Sequence, residues 1–364
     1  MRRCYPLQWR VPTRVIVWGT GFVGKLVLRE LLDHPELELA GVIVHDPQKD
    51  GRDLGDLLGL PPTGIVATCD VDRALAVPAD AVAYFGPTAM YLQANLENMS
   101  KALRAGKNVV STAMTPFVYP AACNPAILQP LVDACVAGQT SCFTTGIDPG
   151  FANDLLPLVL LSACARVDRL RISEILDYST YAGDMSPMGF GAPLDERCLL
   201  EEPELLIFAW GHTLPMIAHA VGVQLERIDT VWEKWPAEQP IRYAQGTIEP
   251  GRCAAIRFEI RGWVGGEPKL VLEHVNRIGT DVAPHWPRPA SVANDAYRVV
   301  IEGSPNITQE TTFRGARDRD ANSGGCLATG MRALNAIPAV CAAPPGLLST
   351  LDVPFTPGRG VFRR

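Results

Sequence analysis

Three closely spaced glycines carry the clearest chemical signal in the sequence. Gly19, Gly21 and Gly24 form the pattern G-x-G-x-x-G between an apolar run at residues 14–18 and a segment with helical periodicity at residues 22–32. Such a loop lets the backbone approach a pyrophosphate, whose charge is held by the exposed N–H groups at the start of the helix. The pattern therefore predicts a dinucleotide-binding loop. Its residues are Gly19, Thr20, Gly21, Phe22, Val23 and Gly24.

The segment after the second predicted strand is expected to distinguish NADP from NAD. In this kind of site, an acid about 20 residues past the glycines binds the ribose of NAD. Ending the strand near Val44 puts His45 close to that position, where Lys49 and Arg52 can surround the 2′-phosphate of NADP. A shift of one residue instead makes Asp46 the ribose-binding acid, and the two basic residues are then solvated loop charges. The sequence favours NADP, with NAD as the alternative.

The carboxyl ends of two later strands supply further candidate cofactor contacts. The predicted strands cover residues 81–84 and 108–111, and ligands bind at the carboxyl ends of strands in open parallel sheets. We expect the nicotinamide and its ribose to contact the residues that follow these strands. They are Phe85, Gly86, Pro87, Thr112 and Ala113.

A carboxylate in an apolar strand is the best candidate for catalysis. Alternation from residue 170 places Glu174 and Tyr178 on one face with three aliphatic side chains, where a charge is costly unless it is paired or used. Burial is expected to raise the pKa of Glu174, and a cationic imine bound beside it is expected to lower this pKa again. Glu174 can stabilise an iminium cation, and Tyr178 can donate a proton to a developing oxyanion. Alternatively, Glu174 pairs with an arginine such as Arg257 while Tyr178 packs in the sheet.

Three polar residues outside this strand are candidates for the substrate pocket. Asn153 follows Pro-Gly at the junction between the two halves of the chain, although it can instead cap a helix. His212 lies at a break in a predicted helix, where a structural, hydrogen-bonded histidine is the alternative. Thr115 follows the fifth predicted strand. Since no Cys/His cluster has metal-ligand spacing, we expect no metal site.

The order of predicted elements divides the chain at about residues 150 and 320. Over residues 12–150 strands alternate with single helices, which predicts a Rossmann domain with a doubly wound parallel sheet. Over residues 151–320 long alternating strands and one helix at residues 202–221 predict an α+β domain with a mainly antiparallel sheet. A further helix at residues 321–341 opens the C-terminal segment, residues 321–364.

Composition indicates which classes of partner and which cellular compartment to expect. The net charge is −6 and no block of Lys and Arg occurs, so neither nucleic acid nor a membrane surface is expected. The partner is therefore predicted to be a small-molecule substrate. Ten cysteines without any C-x-x-C pair suit a reducing compartment, and residues 1–6 lack the apolar run of a signal peptide. Together these features predict a cytoplasmic protein.

Several segments, taken together, resemble the 2,4-diaminopentanoate dehydrogenase group. This group is related to dihydrodipicolinate reductase and includes NAD(P)-dependent amine dehydrogenases. The resemblance implies a Rossmann domain, a sheet domain that binds substrate and forms a homodimer, and a C-terminal segment that returns to the Rossmann domain. It also implies hydride transfer to or from a carbon that bears nitrogen. The segments are residues 17–21, 145–157, 174–179, 335–340, 344–347 and 351–354.

One region departs from the pattern that this resemblance implies. Amine-forming members carry a glutamate shortly after the fifth strand, whereas residues 111–120 here contain no carboxylate. The use of free ammonia is therefore left open, and reduction of a preformed C=N or C=O bond is expected. Two alternatives remain. One is a carbonyl reductase without amination activity, and the other is an NADP-binding protein without catalysis.

Overall fold

A computed structural model describes residues 12–290 and 295–362 of the chain. The prediction made on residues 1–6 and the last two residues of the C-terminal segment therefore lie outside the described residues. None of the helices in the described ranges is long and apolar enough to cross a bilayer.

The N-terminal part of the chain forms a parallel, seven-stranded sheet. Two of its strands, at residues 81–84 and 141–144, are buried along their whole length, as expected for a sheet covered on both faces. From one edge to the other the order is β15-β6-β5-β4-β1-β2-β3. The strands are β1 (Thr13–Trp18), β2 (Leu37–Ile43), β3 (Ala67–Thr68), β4 (Ala81–Tyr84), β5 (Asn108–Ser111), β6 (Ser141–Thr144) and β15 (Gly346–Leu348).

Helices cover both faces of this sheet. One face packs against α1 (Phe22–Leu31), α2 (Leu54–Leu58) and α9 (Ala321–Ala342), and the other against α3 (Val71–Leu75), α4 (Leu92–Arg104) and α5 (Pro125–Gly138). Short 3₁₀ turns at Pro47–Lys49, Ala89–Tyr91, Thr115–Val118 and Pro120–Ala122 complete the connections. This is the Rossmann architecture that the sequence predicts.

The second sheet has six strands and mixes antiparallel with parallel pairing. Its order is β14-β13-β7-β12-β11-β8, and only β7 and β12 are parallel neighbours. The predicted mainly antiparallel sheet is therefore present. The strands are β7 (Arg166–Asp177), β8 (Arg227–Pro236), β11 (Cys253–Val264), β12 (Glu267–Arg277), β13 (Ala296–Ser304) and β14 (Ile307–Thr311). A separate hairpin pairs β9 (Ile241–Tyr243) with β10 (Gly246–Ile248).

Short helices cover the inner face of the second sheet and differ from the single helix predicted at residues 202–221. In the structure, α7 (Pro203–Leu206) runs into a π-helical turn at Ile207–Gly211, and α8 (Thr213–Ala220) follows. A second π-helical turn at Phe151–Leu155 precedes α6 (Leu156–Leu161) and links the two sheets. Further 3₁₀ turns lie at Ser186–Met188 and Leu199–Glu201.

The C-terminal part of the chain returns to the first sheet. Helix α9 packs closely on α1, since a Cβ built on Gly330 would lie 2.1 Å from Val27 Cγ2. Strand β15 then pairs in parallel with β6 and extends the sheet at that edge. The fold class predicted from the sequence is confirmed, whereas the division of the chain at residues 150 and 320 stays a prediction.

Candidate functional site

The glycine loop between β1 and α1 has the geometry of a phosphate cradle. A Cβ built on Gly19, which has φ of +116°, would lie 2.2 Å from the carbonyl oxygen of Phe85, and one on Gly24 would lie 2.1 Å from that of Gly19. These two glycines are required by the close approach of the backbone. Gly21 differs, because its φ is −74° and no atom lies within 4 Å of its Cβ position. Its missing side chain leaves room for a ligand at the start of α1.

The loop after β2 contains the residues that were predicted to contact the adenosine ribose or its 2′-phosphate. Strand β2 ends at Ile43, and His45 and Arg52 are exposed beyond it. Asp46 caps the Pro47–Lys49 turn by accepting a hydrogen bond from the Gln48 N–H at 2.9 Å, and its carboxylate lies 4.0 Å from Lys49 Nζ. Acidic and basic candidates thus lie side by side in one loop, and the choice of 2′-phosphate or 2′-hydroxyl stays a prediction.

The carboxyl ends of β4, β5 and β6 lie next to one another at the edge where the nicotinamide contacts were predicted. Phe85, Gly86 and Pro87 follow β4, and Thr112 and Ala113 follow β5. The main-chain N–H of Thr145, the residue after β6, donates to the Ser111 carbonyl at 2.9 Å. The carboxyl end of β6 therefore lies beside that of β5. Within the described residues, the buried hydroxyls of Thr144 and Thr145 form no hydrogen bond. These strand ends and the glycine loop fit a nicotinamide dinucleotide laid across the sheet.

Glu174 lies in a row of side chains that crosses the second sheet. In the strand register, Tyr297 on β13 faces Glu174 on β7, Glu174 faces His274 on β12, and His274 faces Phe258 on β11. Phe258 faces Trp232 on the edge strand β8. The His274 ring stacks on Phe258 with centroids 4.5 Å apart, and Phe258 stacks on Trp232 at 5.3 Å. The aromatic half of this row fixes the plane of the imidazole.

The imidazole of His274 joins two buried carboxylates. Its Nδ1 lies 3.4 Å from Glu174 Oε1, and its Nε2 lies 3.3 Å from Asp148 Oδ1. Asp148 belongs to the segment that follows β6, so this group of three, the acid–imidazole triad, spans the junction of the two sheets. Glu174 Oε1 also accepts hydrogen bonds from Tyr178 Oη at 2.6 Å and Asn276 Nδ2 at 2.9 Å.

The charges of the triad are strongly coupled. Burial alone would lower the pKa of His274, but the carboxylates of Asp148 and Glu174 outweigh it and raise this pKa to about 10. Burial would raise the pKa of Glu174, as predicted from the sequence, yet the His274 imidazolium and the hydrogen bonds lower it overall. The expected effect of burial is therefore present, but the His274 imidazolium, which was not predicted, outweighs it together with the hydrogen bonds. Glu174 is ionised at neutral pH.

Asp148 differs from Glu174 in the direction of its pKa. Burial raises the pKa of Asp148, and His274 reduces this effect without reversing it. Asn153 Nδ2 donates to Asp148 Oδ1 at 2.5 Å, so Asn153 orients this carboxylate and its side chain does not cap a helix. Oδ2 of Asp148 is buried and forms no hydrogen bond with the described residues. When all three groups are ionised, the two carboxylates and the one imidazolium give the triad a net negative charge.

Tyr178 and Arg257 have partners that the sequence did not specify. The hydroxyl of Tyr178 is committed to Glu174, and burial followed by the charge of Glu174 raises the pKa of Tyr178 well above its usual value. Arg257 lies on the opposite face of the sheet and pairs with Glu273 at 2.8 Å and Glu233 at 2.6 Å. It therefore does not pair with Glu174, whose partner is His274.

His212 follows the π-helical turn Ile207–Gly211 and is largely shielded from solvent. Burial lowers its pKa to about 4, so the ring is neutral at pH 7. Its Nδ1 forms no hydrogen bond within the described ranges, and neither does the hydroxyl of the adjacent Thr213. Thr115, the third predicted substrate contact, opens the turn Thr115–Val118, which contacts the turn that carries Phe208. These unpaired polar groups suit a pocket that binds a polar ligand.

The triad also contains the donor types of a metal site. Its carboxylates, however, lie beside different nitrogens of one imidazole. One ring nitrogen and one oxygen of each carboxylate nevertheless lie within 4.8 Å of one another, and the absence of a metal site stays a prediction. In this arrangement the imidazolium lies between the two carboxylates as their counter-ion.

Two residues of the triad were not singled out from the sequence. Asp148 lies in the segment at residues 145–157 that carries the family resemblance, but no role was predicted for it or for His274. Strand β12 carries a usable signal, since alternation from residue 270 places His274 on one face with Leu270, Leu272 and Asn276. A polar pair at the end of an apolar face is the same pattern that identified Glu174.

Known proteins resemble this chain over nearly its whole length. Residues 151–359 match the family profile of the 2,4-diaminopentanoate dehydrogenase C-terminal domain, and residues 13–116 match that of the dihydrodipicolinate reductase N-terminus. An amine dehydrogenase of Streptomyces virginiae is 38% identical over 96% of this chain and 98% of its own length. The 2,4-diaminopentanoate dehydrogenase of Acetoanaerobium sticklandii is 24% identical over 94% of this chain and 93% of its own.

A solved structure agrees with the fold. The amine dehydrogenase from Mycobacterium smegmatis superposes with a TM-score of 0.77 at 22% identity, covering 97% of this chain and 99% of that one. The family resemblance predicted from the sequence is therefore confirmed. The chain belongs to the family of amine dehydrogenases and 2,4-diaminopentanoate dehydrogenases and is an NAD(P)-dependent oxidoreductase.

Proposed function

We propose that this enzyme transfers a hydride between a nicotinamide and the nitrogen-bearing carbon of a small amine or imine, with Glu174 as the catalytic carboxylate. The observation that carries the proposal is the acid–imidazole triad. It places a buried, ionised carboxylate and an excess negative charge at the sheet junction, where Asp148 follows the carboxyl end of β6. A cationic iminium or ammonium group complements that charge, whereas a neutral ketone does not.

The reaction needs a positioned nitrogen and a managed proton. The bound nicotinamide supplies or accepts the hydride. In the reductive direction, Glu174 stabilises the cationic C=N unit while its carbon gains the hydride. The product is the amine, in which the nitrogen stays bonded to that carbon. Tyr178 and Asn276 hold the Glu174 carboxylate through hydrogen bonds of 2.6 and 2.9 Å. Thr115, Asn153 and His212 are proposed to contact substrate or to shape its pocket.

Asp148 is proposed as the group that moves the proton. Its raised pKa brings the carboxyl closer to neutral pH than an ordinary aspartate, which suits general acid–base catalysis. Its free Oδ2 and its hydrogen bond from Asn153 leave one oxygen oriented and one available. Asp148 also supplies a carboxylate in the absence of one at residues 111–120, so we propose amine and imine substrates and treat free-ammonia amination as the point to be tested.

The preferred cofactor is proposed to be NADP, with NAD as the alternative. Exposed His45 and Arg52 lie in the same loop as Lys49, which suits a phosphate better than a ribose hydroxyl. A homodimer is proposed because the family resemblance implies one, and light scattering on the purified protein tests it. A cytoplasmic location is proposed because the cysteines in the described ranges are all unpaired.

A cofactor-consumption screen tests the proposed reaction. Absorbance of the reduced nicotinamide is followed with primary amines in the oxidative direction and with cyclic imines and ketones in the reductive direction, each with and without ammonium. We expect turnover of amines and cyclic imines. Equal reduction of ketones without ammonium would instead make the protein a carbonyl reductase. Cofactor binding without turnover of any substrate would make it a non-catalytic NADP-binding protein.

A further inference from the structure

Arg332 is a buried cation that the catalytic arrangement does not use. It lies in the middle of α9 and is 9% exposed. Its Nη1 donates to Thr356 Oγ1 at 3.2 Å, its guanidinium carbon lies 5.8 Å from the ring centre of Phe143, and its Nε forms no hydrogen bond within the described residues. No described carboxylate lies within ion-pair distance of it.

The nearest acid is already engaged. Asp154 is close enough for its charge to act on Arg332, yet its Oδ2 accepts from Thr350 Oγ1 at 2.8 Å and its Oδ1 from the Leu155 N–H. A buried guanidinium normally meets a carboxylate or phosphate in a two-pronged contact, because an unpaired buried charge is costly. Arg332 therefore has unused capacity to bind an anion.

A cleft of about 290 Å³ lies against Arg332. Apolar side chains from four segments dominate its wall, including Phe151 of the π-helical turn, Phe313 and Phe355. Arg332 is the only charged residue of the wall, and Asn335 and Thr356 add polar groups beside it. The cleft is thus apolar along its length with a single positive charge, which is the layout of a ligand pocket with one anchoring group.

We propose that this cleft binds a small monocarboxylate with an apolar tail, whose carboxylate pairs with Arg332. One cation balances one negative charge, so a carboxylate fits, whereas a phosphate dianion would bring a second charge that no residue of the wall neutralises. The volume lies at the small end of ligand pockets, which restricts the tail to a short or medium chain.

The proposed site is distinct from the catalytic one. Asn322 at the start of α9 donates to the Asp177 carbonyl at 2.9 Å, and this anchors the helix start beside the strand that carries Glu174. Arg332 lies ten residues further along, which is about 15 Å of helix. Ile147 lines the cleft and precedes Asp148 directly, so this segment forms a wall that the two sites share.

Calorimetric titration of octanoate into the NADP-saturated full-length protein tests the proposal. The bound cofactor fills the dinucleotide site, so octanoate cannot bind there and the measured binding belongs to another site. We expect saturable binding of octanoate and much weaker binding of octanol, which has the same tail without the charge. Arg332→Met should weaken octanoate binding roughly 10-fold to 100-fold, because it removes a charge-assisted contact. Ala328→Phe fills the cleft and keeps the arginine, and this variant should abolish octanoate binding.

Controls separate binding from folding and from the catalytic pocket. Arg166→Met alters an exposed arginine that pairs with Asp168, and it should bind octanoate like the native protein. Because Arg332→Met takes a neighbouring cation from the buried Asp154, the melting temperature and NADP affinity of this variant are measured without octanoate, and a folded variant that binds NADP like the native protein is required for the comparison. The proposal is overturned if no carboxylate from acetate to decanoate binds, if octanol binds equally well, or if Arg332→Met binds octanoate unchanged. Competition between octanoate and an amine substrate would equally show that the two sites are one.

Discussion

Glu174 and His274 face each other on the only parallel strand pair of the second sheet, with Oε1 and Nδ1 3.4 Å apart. This contact keeps a fully buried carboxylate ionised, because the cation lies in the next strand at the same level. An ionised carboxylate in a water-poor site attracts a cationic substrate more strongly than it would at the surface. In the proposed reaction, this pairing connects the sheet register to the preference for a nitrogen-bearing substrate.

Replacing Glu174 with Gln tests this connection. The amide keeps the shape and still accepts hydrogen bonds from Tyr178 and Asn276, but it removes the charge that stabilises an iminium ion. We expect kcat/KM for an imine or amine to fall roughly 100-fold or more, with a much smaller loss for any ketone. Steady-state kinetics on both substrate classes, together with NADP affinity, measure the effect.

Glu259→Gln is the matched control for that variant. Glu259 is also a mostly buried carboxylate of the same sheet, but it pairs with Arg171 and Arg257 on the opposite face. It should leave substrate preference unchanged even if it lowers stability. Should Glu174→Gln retain full activity on every substrate, Glu174 would be a structural residue of the ion triad and not a catalytic one.

The stability of the protein should depend on pH through His274. Folding raises the pKa of this residue from 6.5 to about 10, so the folded state holds the proton more tightly than the unfolded chain. The resulting stabilisation is complete below pH 6.5 and is lost as the pH rises from 6.5 towards 10. We expect the melting temperature of the native protein to fall over this range, and that of His274→Gln to change less.

At neutral pH, His274→Gln should itself be destabilised by about 3–5 kcal/mol, because two buried carboxylates then lack a cation. His285→Gln, at an exposed histidine, is the control and should follow the native pH profile. Parallel melting curves for the native protein and His274→Gln between pH 6.5 and 10 would contradict the assigned imidazolium.

The loop after β2 is proposed to determine the cofactor preference. If Lys49 and Arg52 bind the 2′-phosphate of NADP, each charge-assisted contact contributes about 1.5–3 kcal/mol. Lys49→Ala and Arg52→Ala should therefore each weaken NADP roughly 10-fold to 100-fold and leave NAD affinity unchanged. Titrations that follow nicotinamide fluorescence measure both affinities. Lys107→Ala serves as control, because Lys107 precedes β5 at the amino end of that strand, away from the carboxyl ends where the cofactor is expected. Equal losses for both cofactors would point to Asp46 and NAD.

The parts of the site that depend on local sequence were predictable, and those that depend on register were not. The glycine loop follows from residues 19–24 alone, and Glu174 follows from alternation within one strand. His274 and Asp148 required knowledge that β12 lies beside β7 in parallel and that the segment after β6 reaches the second sheet. Both facts depend on contacts between residues that are far apart in the chain.

The missed elements of the fold have similar physical causes. Strand β8 is not predicted by the sequence, because it is an edge strand whose residues are mostly half-buried and include Asp229, Glu233 and Lys234. Its partner β11 shows clear alternation, which predicts a strand over residues 252–263, within one residue of the observed bounds. The π-helical turn at Ile207–Gly211 interrupts an apolar segment without any proline or glycine signal at its start, so a continuous helix was the natural expectation.

The glycine loop allows a test in which two neighbouring glycines give opposite results. Gly21 has an ordinary φ of −74° and open space at its Cβ position, so Gly21→Val should leave the melting temperature nearly unchanged. Its side chain would nevertheless occupy the proposed pyrophosphate position, and we expect cofactor affinity to fall by orders of magnitude. Gly19→Ala is the contrasting variant. Its φ of +116° and the 2.2 Å approach to the Phe85 carbonyl predict a loss of stability before any cofactor is added.

Thermal unfolding and fluorescence titration, measured on both variants, separate the two roles. Gly21→Val should bind NADP poorly while melting like the native protein, and Gly19→Ala should melt early. The difference follows from what each missing side chain makes room for, which is ligand at Gly21 and the protein's own backbone at Gly19. Unchanged NADP affinity in Gly21→Val would show that the phosphates lie elsewhere, and the Rossmann loop would then be a structural turn alone.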